Sequence, residues 1–112
     1  MMVIEETLAG LVDRFNRHAA KNPGVRSELN GLERTIAIHL TDEGQYAVDL
    51  RGGELTHLRT GPVDHADVTI TCDRATFLGL ITKEIGPMKA LVTHRLRIDG
   101  TLEDKLLFRK LL

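Results

Sequence analysis

The spacing of hydrophobic residues predicts an amphipathic helix at the start of the chain. From Ile4 to about Lys21 the apolar residues recur every three or four positions, which places them within an arc of about 100° on a helix. The charged residues fill the remaining arc and should face water. Asn22-Pro23-Gly24 should end this helix, because proline excludes helical geometry in the residue before it. The apolar positions are Ile4, Leu8, Leu11, Val12, Phe15 and Ala19.

Alternation of apolar and polar residues predicts strands in the middle of the chain. The first two alternating segments flank Asp42-Glu43-Gly44, whose turn chemistry is typical of a hairpin. Residues 54–60 should add a third strand, in which Leu55 and Leu58 fall on opposite faces, as suits a sheet edge. The alternating segments are 34–41, 45–50, 68–72 and 95–99.

Three further helices are expected in the second half. Asp73 is a suitable N-cap for a helix at about 74–84, and Pro87 suits the first position of another short helix. A last helix should start near Thr101, which with Asp104 resembles a capping box. Because each of the four alternating segments is apolar on one face only, the order of elements predicts an α+β fold. Its sheet should be mostly antiparallel, with helices on one face and water on the other.

The C-terminal helices contain more apolar surface than contact with one core requires. In the helix at 74–84 the apolar residues span an arc of about 160°, and in the last helix they project around nearly the whole circumference. Such a helix needs apolar neighbours on more than one side, or it leaves an exposed patch. Three neighbours fit this pattern: the sheet alone, a second protomer, or an apolar ligand held between the last helix and residues 74–93.

Composition and charge argue against several classes of protein. The 15 basic and 16 acidic residues are scattered along the chain, so no basic stripe marks a nucleic-acid surface. The acidic Glu5 and Glu6 do not suit a signal peptide, and no segment approaches the roughly 20 apolar residues that cross a bilayer. Cys72 is the only cysteine, so no intramolecular disulfide can form. We expect a cytoplasmic protein with at most transient membrane contact.

Candidate catalytic and metal-binding residues have simpler structural explanations. Cys72 alternates with Val68 and Ile70, which predicts a core position rather than a nucleophile. Asp64-His65-x-Asp67 could hold a metal ion, but a polar loop ahead of a strand explains these residues equally well. The glycine-rich turns lack the strand and helix context of nucleotide loops. We therefore expect no enzyme activity, metal or cofactor. If an apolar ligand binds, four basic residues are candidates for contact with its carboxylate or phosphate headgroup: Arg95, Arg97, Arg109 and Lys110.

Motifs in both halves of the chain resemble the sterol carrier protein 2 domain family. Their order and spacing carry the resemblance, which covers essentially the whole chain. Many family members have Gly-Lys where this chain has His94-Arg95. The motifs are Leu29-Asn30-Gly31, Thr35-Ile36-Ala37-Ile38, Tyr46-Ala47-Val48-Asp49-Leu50, Ala66-Asp67-Val68-Thr69-Ile70 with Phe77-Leu78, Gly86-Pro87-Met88-Lys89-Ala90 and Leu96-Arg97-Ile98-Asp99-Gly100.

The resemblance implies one lipid-binding domain over residues 1–112, with a five-stranded sheet and helices on one face. It also implies a hydrophobic cavity between the sheet and the C-terminal helices that accepts a fatty acid, acyl-CoA, sterol or phospholipid without catalysis. An interaction module, in which the same surface forms a homodimer or docks on an enzyme of a lipid or quinone pathway, is the alternative. The implied ligand-binding residues are Phe77, Leu80, Ile81, Met88, Leu91, Val92, Leu96, Leu107 and Leu111.

Overall fold

The computed structural model describes the backbone of residues 4–111 and the side chains of residues 4–86 and 88–106. Within this part the chain forms the strands and helices that the sequence predicts, and it adds one short helix. The elements are α1 (Ile4–Lys21), α2 (Pro23–Leu29), β1 (Glu33–Leu40), β2 (Gly44–Arg51), β3 (Glu54–Thr60), β4 (Val68–Cys72), α3 (Arg74–Ile81), α4 (Pro87–Val92), β5 (Arg97–Asp99) and α5 (Leu102–Leu111).

The five strands form one sheet in the order β3-β2-β1-β4-β5. Strand β2 pairs antiparallel with β1 and β3, and β4 pairs antiparallel with β5, whereas β1 and β4 are parallel. The parallel pair arises because the chain leaves β3 at one edge and passes β2 and β1 before it enters β4. The prediction of an α+β fold with a mostly antiparallel sheet is confirmed.

One face of the sheet carries the hydrophobic core. Ile36 on β1 lies opposite Val48 on β2 and Val68 on β4, so the three side chains share this face. Helix α1 lays its apolar stripe on the same core, where Leu8 is 1% exposed. The buried core residues are Ile4, Leu8, Leu29, Ile36, Ile38, Leu40, Tyr46, Val48, Leu50, Val68, Cys72, Phe77, Ala90, Leu96 and Ile98.

Helix α2 was not predicted from the sequence. The Asn22 side-chain oxygen accepts hydrogen bonds from the backbone N–H groups of Gly24 (3.1 Å) and Val25 (3.3 Å). Pro23 occupies the first turn, where its missing N–H costs nothing. The same residues therefore end α1 and start a second helix, and only the first of these roles was recognised in the pattern.

Strand β3 contains a β-bulge, and the bulge corrects the prediction for Leu58. The pairing of β2 with β3 shifts register between Ala47 and Asp49. His57 has a positive φ of 54° within this part of β3. The extra residue shifts the alternation, so Leu55 and Leu58 both pack against the core. The prediction that they lie on opposite faces is wrong because it assumed a regular strand.

A side chain from α1 covers the outer edge of β3. The Asn16 amide donates a hydrogen bond to the Leu55 carbonyl (2.9 Å), and its side-chain oxygen accepts one from the Leu55 N–H (2.7 Å). Both backbone groups of an edge residue are thereby satisfied within the chain, as buried or edge polar groups require. This pair of bonds also fixes α1 against the sheet.

The face opposite the core is partly covered rather than fully exposed to water. Residues of the segment 61–66 line a pocket on this face together with Ala37 and His39, and Ala47, which lies opposite Ala37 in the register, is fully buried. Asp67 ties this segment to β1, since its carboxylate accepts a hydrogen bond from the Thr35 N–H at 2.8 Å. The expectation of a solvated second face is therefore corrected for the middle of the sheet.

Candidate functional site

Strongly exposed large apolar side chains in the described part of the chain lie on two C-terminal helices. On α4, Met88 is 47% and Val92 is 71% exposed, and on α5, Leu102 is 72% and Leu106 is 53% exposed. The helices and strands before residue 87 bury most of their large apolar side chains. The apolar surface that the sequence pattern indicated is thus located on the outside of α4 and α5.

Helix α4 has one side that faces the core and one side that is exposed. Ala90 is fully buried and faces the core, and Leu91 is partly buried against it. Met88 and Val92 are four residues apart and form an exposed apolar stripe. Since the helix has only six residues, packing of Ala90 on the core is what holds this stripe in position.

A left-handed cap ends α4. His94 has a φ of 61°, and its N–H donates to the Leu91 carbonyl at 3.2 Å. The Arg95 N–H turns back to donate to the Ala90 carbonyl at 2.9 Å, which is the bonding pattern of a helix that stops at a left-handed residue. Glycine is the usual residue here because it adopts positive φ without strain. Many family members have Gly-Lys where this chain has His94-Arg95. His94 thus occupies a position at which the positive φ strains any residue other than glycine.

Helix α5 is held at its first turn. The Thr101 hydroxyl accepts a hydrogen bond from the Asp104 N–H at 3.1 Å, so the capping interaction from Thr101 is confirmed. The Asp104 carboxylate does not return to Thr101. Instead it accepts from Arg34 Nε on β1, with both oxygens at 3.1 Å, and Asp104 is only 5% exposed. A charged pair thus attaches the first turn of α5 to the sheet.

Helix α3 closes the core next to α4. The Asp73 carboxylate caps it by accepting the Thr76 N–H at 2.7 Å, as predicted. The helix ends at Ile81, earlier than predicted, and the chain turns so that Ile85 packs on Gly79. A Cβ atom at Gly79 would lie 2.5 Å from Ile85 Cδ1, so any other residue here would require the Ile85 side chain to shift.

The predicted ligand-binding residues extend from the core to the surface. Phe77 and Leu96 are buried in the core, and Met88 and Val92 are exposed on α4. The side chains of Leu107 and Leu111 lie outside the described residues, as do those of the other apolar positions at the end of α5. The partly buried members that pack against the core are Leu80, Ile81 and Leu91.

The pockets formed by described residues include two surface pockets, and none of the predicted ligand-binding residues lines either of these two. A pocket of about 230 Å³ lies under residues 61–66 on the sheet face opposite the core, next to Ala37 and His39. A second pocket, of about 120 Å³, lies between the end of α3 and helix α4. The predicted cavity between the sheet and the C-terminal helices stays a prediction.

The candidate chemical groups have structural roles or unsuitable environments. Burial, followed by the nearby carboxylates of Asp73 and Asp42, raises the pKa of the Cys72 thiol to about 11. Such a thiol is protonated at neutral pH and is a poor nucleophile. Asp67 binds the backbone of β1, and the described residues contain no group of three or more His, Cys, Asp or Glu side chains able to hold a metal ion.

None of the helices within residues 4–111 is long and apolar enough to cross a membrane.

Solved structures share this fold. Sterol Carrier Protein 2 Like 2 of Aedes aegypti is 18% identical with a TM-score of 0.62, and the alignment covers 94% of this chain and 97% of that one. The UbiJ-SCP2 ubiquinone synthesis protein is 15% identical with a TM-score of 0.65, covering 92% and 90% of the two chains. At this level of identity the likeness shows the fold alone.

A larger enzyme contains a similar domain. The stereoselective inverting sec-alkylsulfatase Pisa1 from Pseudomonas sp. is 25% identical, with a TM-score of 0.62 over 78% of this chain. The chain spans only 14% of that enzyme, so the match concerns one part of the sulfatase. Comparison with curated protein sequences gives no match.

The sequence model of one family matches almost the entire chain. The match runs over residues 12–112 and is to the SCP-2 sterol transfer family. This range includes every strand and the C-terminal helices on which the exposed apolar side chains lie. Together with the sterol carrier folds it points to binding or transfer of lipids. The chain therefore belongs to the SCP-2 sterol transfer family.

Proposed function

We propose that this chain is a noncatalytic lipid-binding domain over residues 1–112 that carries an apolar ligand in the cytoplasm. The ligand would be a fatty acid, an acyl-CoA, a sterol-like molecule or a phospholipid. The observation that carries the proposal is the exposure of large apolar side chains on α4 and α5, including Val92 at 71%. Membership of the SCP-2 sterol transfer family supports it.

Burial of apolar surface would drive binding. Each methylene group of a ligand that leaves water contributes about 0.8 kcal/mol before the costs of ordering are subtracted. Met88, Leu91 and Val92 would contact the apolar part of the ligand, together with the predicted residues of α3 and α5. The adaptable Met88 side chain suits a site that accepts chains of different shape.

A substitution on the exposed stripe tests this proposal. Val92→Asp should weaken binding of a fluorescent fatty acid by about tenfold, because a carboxylate would replace an apolar contact. Stability should change by less than about 0.5 kcal/mol, since the position is on the surface. Ala9→Asp, which introduces the same charge at an exposed position of α1, is the matched control and should bind the probe normally.

Native mass spectrometry of the purified protein provides the direct measurement. A co-purifying lipid that is displaced by the fluorescent fatty acid is the expected result. Bare chain mass from several expression hosts, with no binding of the probe, would refute carriage. A dimer in light scattering that dissociates on Val92→Asp, again without bound lipid, would favour the interaction module.

A further inference from the structure

We propose that the pocket between α3 and α4 binds the anionic headgroup of the lipid, a carboxylate or a phosphate. This inference rests on the proposed function, because the apolar part of the same ligand would occupy the neighbouring stripe of α4. The pocket has a volume of about 120 Å³ and is lined by Glu84, Ile85, Lys89, Thr93 and Arg95. We call it the α3–α4 pocket.

The α3–α4 pocket carries positive charge that is available to a ligand. Across residues 4–111, the ion pairs formed by described side chains include neither Lys89 nor Arg95. Glu84 is the acidic residue of the lining, which therefore has one excess positive charge, and the Asp73 carboxylate outside the lining attracts Arg95. Guanidinium and ammonium groups donate charge-assisted hydrogen bonds to carboxylate and phosphate oxygens, whereas the Thr93 hydroxyl already donates to the Lys89 carbonyl at 2.7 Å.

The left-handed cap of α4 determines where Arg95 lies. Because the Arg95 N–H bonds back to the Ala90 carbonyl at 2.9 Å, the chain after α4 folds against the helix instead of extending away from it. Arg95 therefore lines the same pocket as Lys89 and Thr93 of the preceding helix. Hydrogen bonds of the backbone thus bring the two cations to one pocket.

The geometry of α4 connects this pocket to the apolar stripe. Lys89 and Thr93 are four residues apart and share one side of the helix. At 100° per residue the centre of the Met88–Val92 stripe lies about 100° around the helix from them. A ligand that crosses this short helix would place its apolar chain on Met88 and Val92 and its headgroup between Lys89 and Arg95.

The pocket has room for a hydrated headgroup. A cavity needs about 10–15 Å³ of this kind of volume to hold one water molecule, so about 120 Å³ accommodates a carboxylate or phosphate group together with several waters. Four of the five lining residues carry a polar or charged group, so the acyl chain would leave the pocket across α4. Ile85 forms the apolar part of the lining and is held in place by its contact with Gly79.

Three ligands with the same alkyl chain test the inference. Dodecanoate, dodecyl phosphate and dodecanol would each compete with a fluorescent alkyl probe at low salt. We expect at least one of the two anions to bind about fivefold to tenfold more tightly than the alcohol, since each exposed cation contributes modestly. Whichever anion binds more tightly identifies the headgroup as carboxylate or phosphate.

The double variant Lys89→Ala/Arg95→Ala should abolish this preference and leave dodecanol binding unchanged. Lys21→Ala/Arg51→Ala removes two exposed cations elsewhere on the surface and should preserve the preference. Equal binding of the anions and the alcohol by the unmodified protein, or a preference that survives in the first variant, would overturn the headgroup site while leaving lipid carriage intact. Failure of all three ligands to bind would overturn the proposed function as well.

Discussion

The charged pair between Arg34 and Asp104 should contribute measurably to stability, because it attaches α5 to the sheet. The Asp104 side chain is 7% exposed and that of Arg34 is 29% exposed. Hydrogen bonds to charged groups contribute about 1.5–3 kcal/mol when one partner is removed. Arg34 retains access to water and also donates to the Glu33 carbonyl at 2.8 Å, so the full penalty of a buried unpaired charge does not apply.

We therefore expect Asp104→Ala to lower the free energy of unfolding by about 2 kcal/mol, of which about 0.5 kcal/mol is the loss of a negative charge in the first turn of a helix. Asp104→Asn should cost about 1 kcal/mol, since an acceptor oxygen remains. Combined with Arg34→Met, the double-mutant cycle should give a coupling free energy of about 1 kcal/mol.

Urea unfolding followed by circular dichroism measures these values, and an unchanged slope with urea would show that the unfolded state is unaffected. The Arg34→Met variant alone controls for the apolar part of the arginine side chain, which packs as well as pairs. A coupling free energy below about 0.3 kcal/mol would refute the reasoning, since the two residues would then act independently.

Three other substitutions or measurements test the local structure. His94→Gly should raise the free energy of unfolding by about 1 kcal/mol in thermal melts, because it relieves a positive φ of 61° at the end of α4; unchanged stability would show that the position is not strained. At pH 8 the Cys72 thiol, with a pKa of about 11, should react with a disulfide reagent at least about 100-fold more slowly than in the unfolded chain, because little thiolate is present. Fast labelling of the native protein would contradict this burial. Leu91→Trp should block uptake of the fluorescent fatty acid with a loss of stability below about 3 kcal/mol, and undiminished uptake would remove Leu91 from the ligand-binding set.

Strong periodicity allowed much of the fold to be predicted from the sequence. Helix α1 has the predicted bounds because six apolar residues at helical spacing specify it without help from the rest of the chain. Strand β4 likewise follows from the alternation of Val68, Ile70 and Cys72. In both segments local pattern and tertiary burial agree, which is where prediction from one sequence succeeds.

Features that are very short or that depend on distant partners were not predicted. Helix α2 has only seven residues, which is too short for a helical period to be recognised. The bulge of β3 appears only when β2 supplies the register. Asp104 resembled a capping residue, but its carboxylate binds Arg34, which is 70 residues away in sequence. The α3–α4 pocket depends on a left-handed residue, and no pattern predicts positive φ at a histidine.

The ligand-binding residues came from the family resemblance, and the structure adds their exposure. Sequence periodicity indicated excess apolar surface in the C-terminal third. It could not show which of these side chains face the core and which face the solvent. The coordinates separate buried Phe77 and Leu96 from exposed Met88 and Val92. The distinction matters because substitutions of the first pair would disturb folding, whereas substitutions of the second pair should leave the fold intact and can therefore test the proposed ligand contact.

The amide of Asn16 takes the place of a neighbouring strand for one residue of β3. An unprotected sheet edge invites a second molecule to add its own strand, which leads to uncontrolled self-association. By satisfying Leu55 from within α1, the chain prevents strand addition at this residue of the edge. Such protection matters for a chain that also exposes apolar side chains on α4 and α5, because exposed apolar surface and an open sheet edge both promote aggregation.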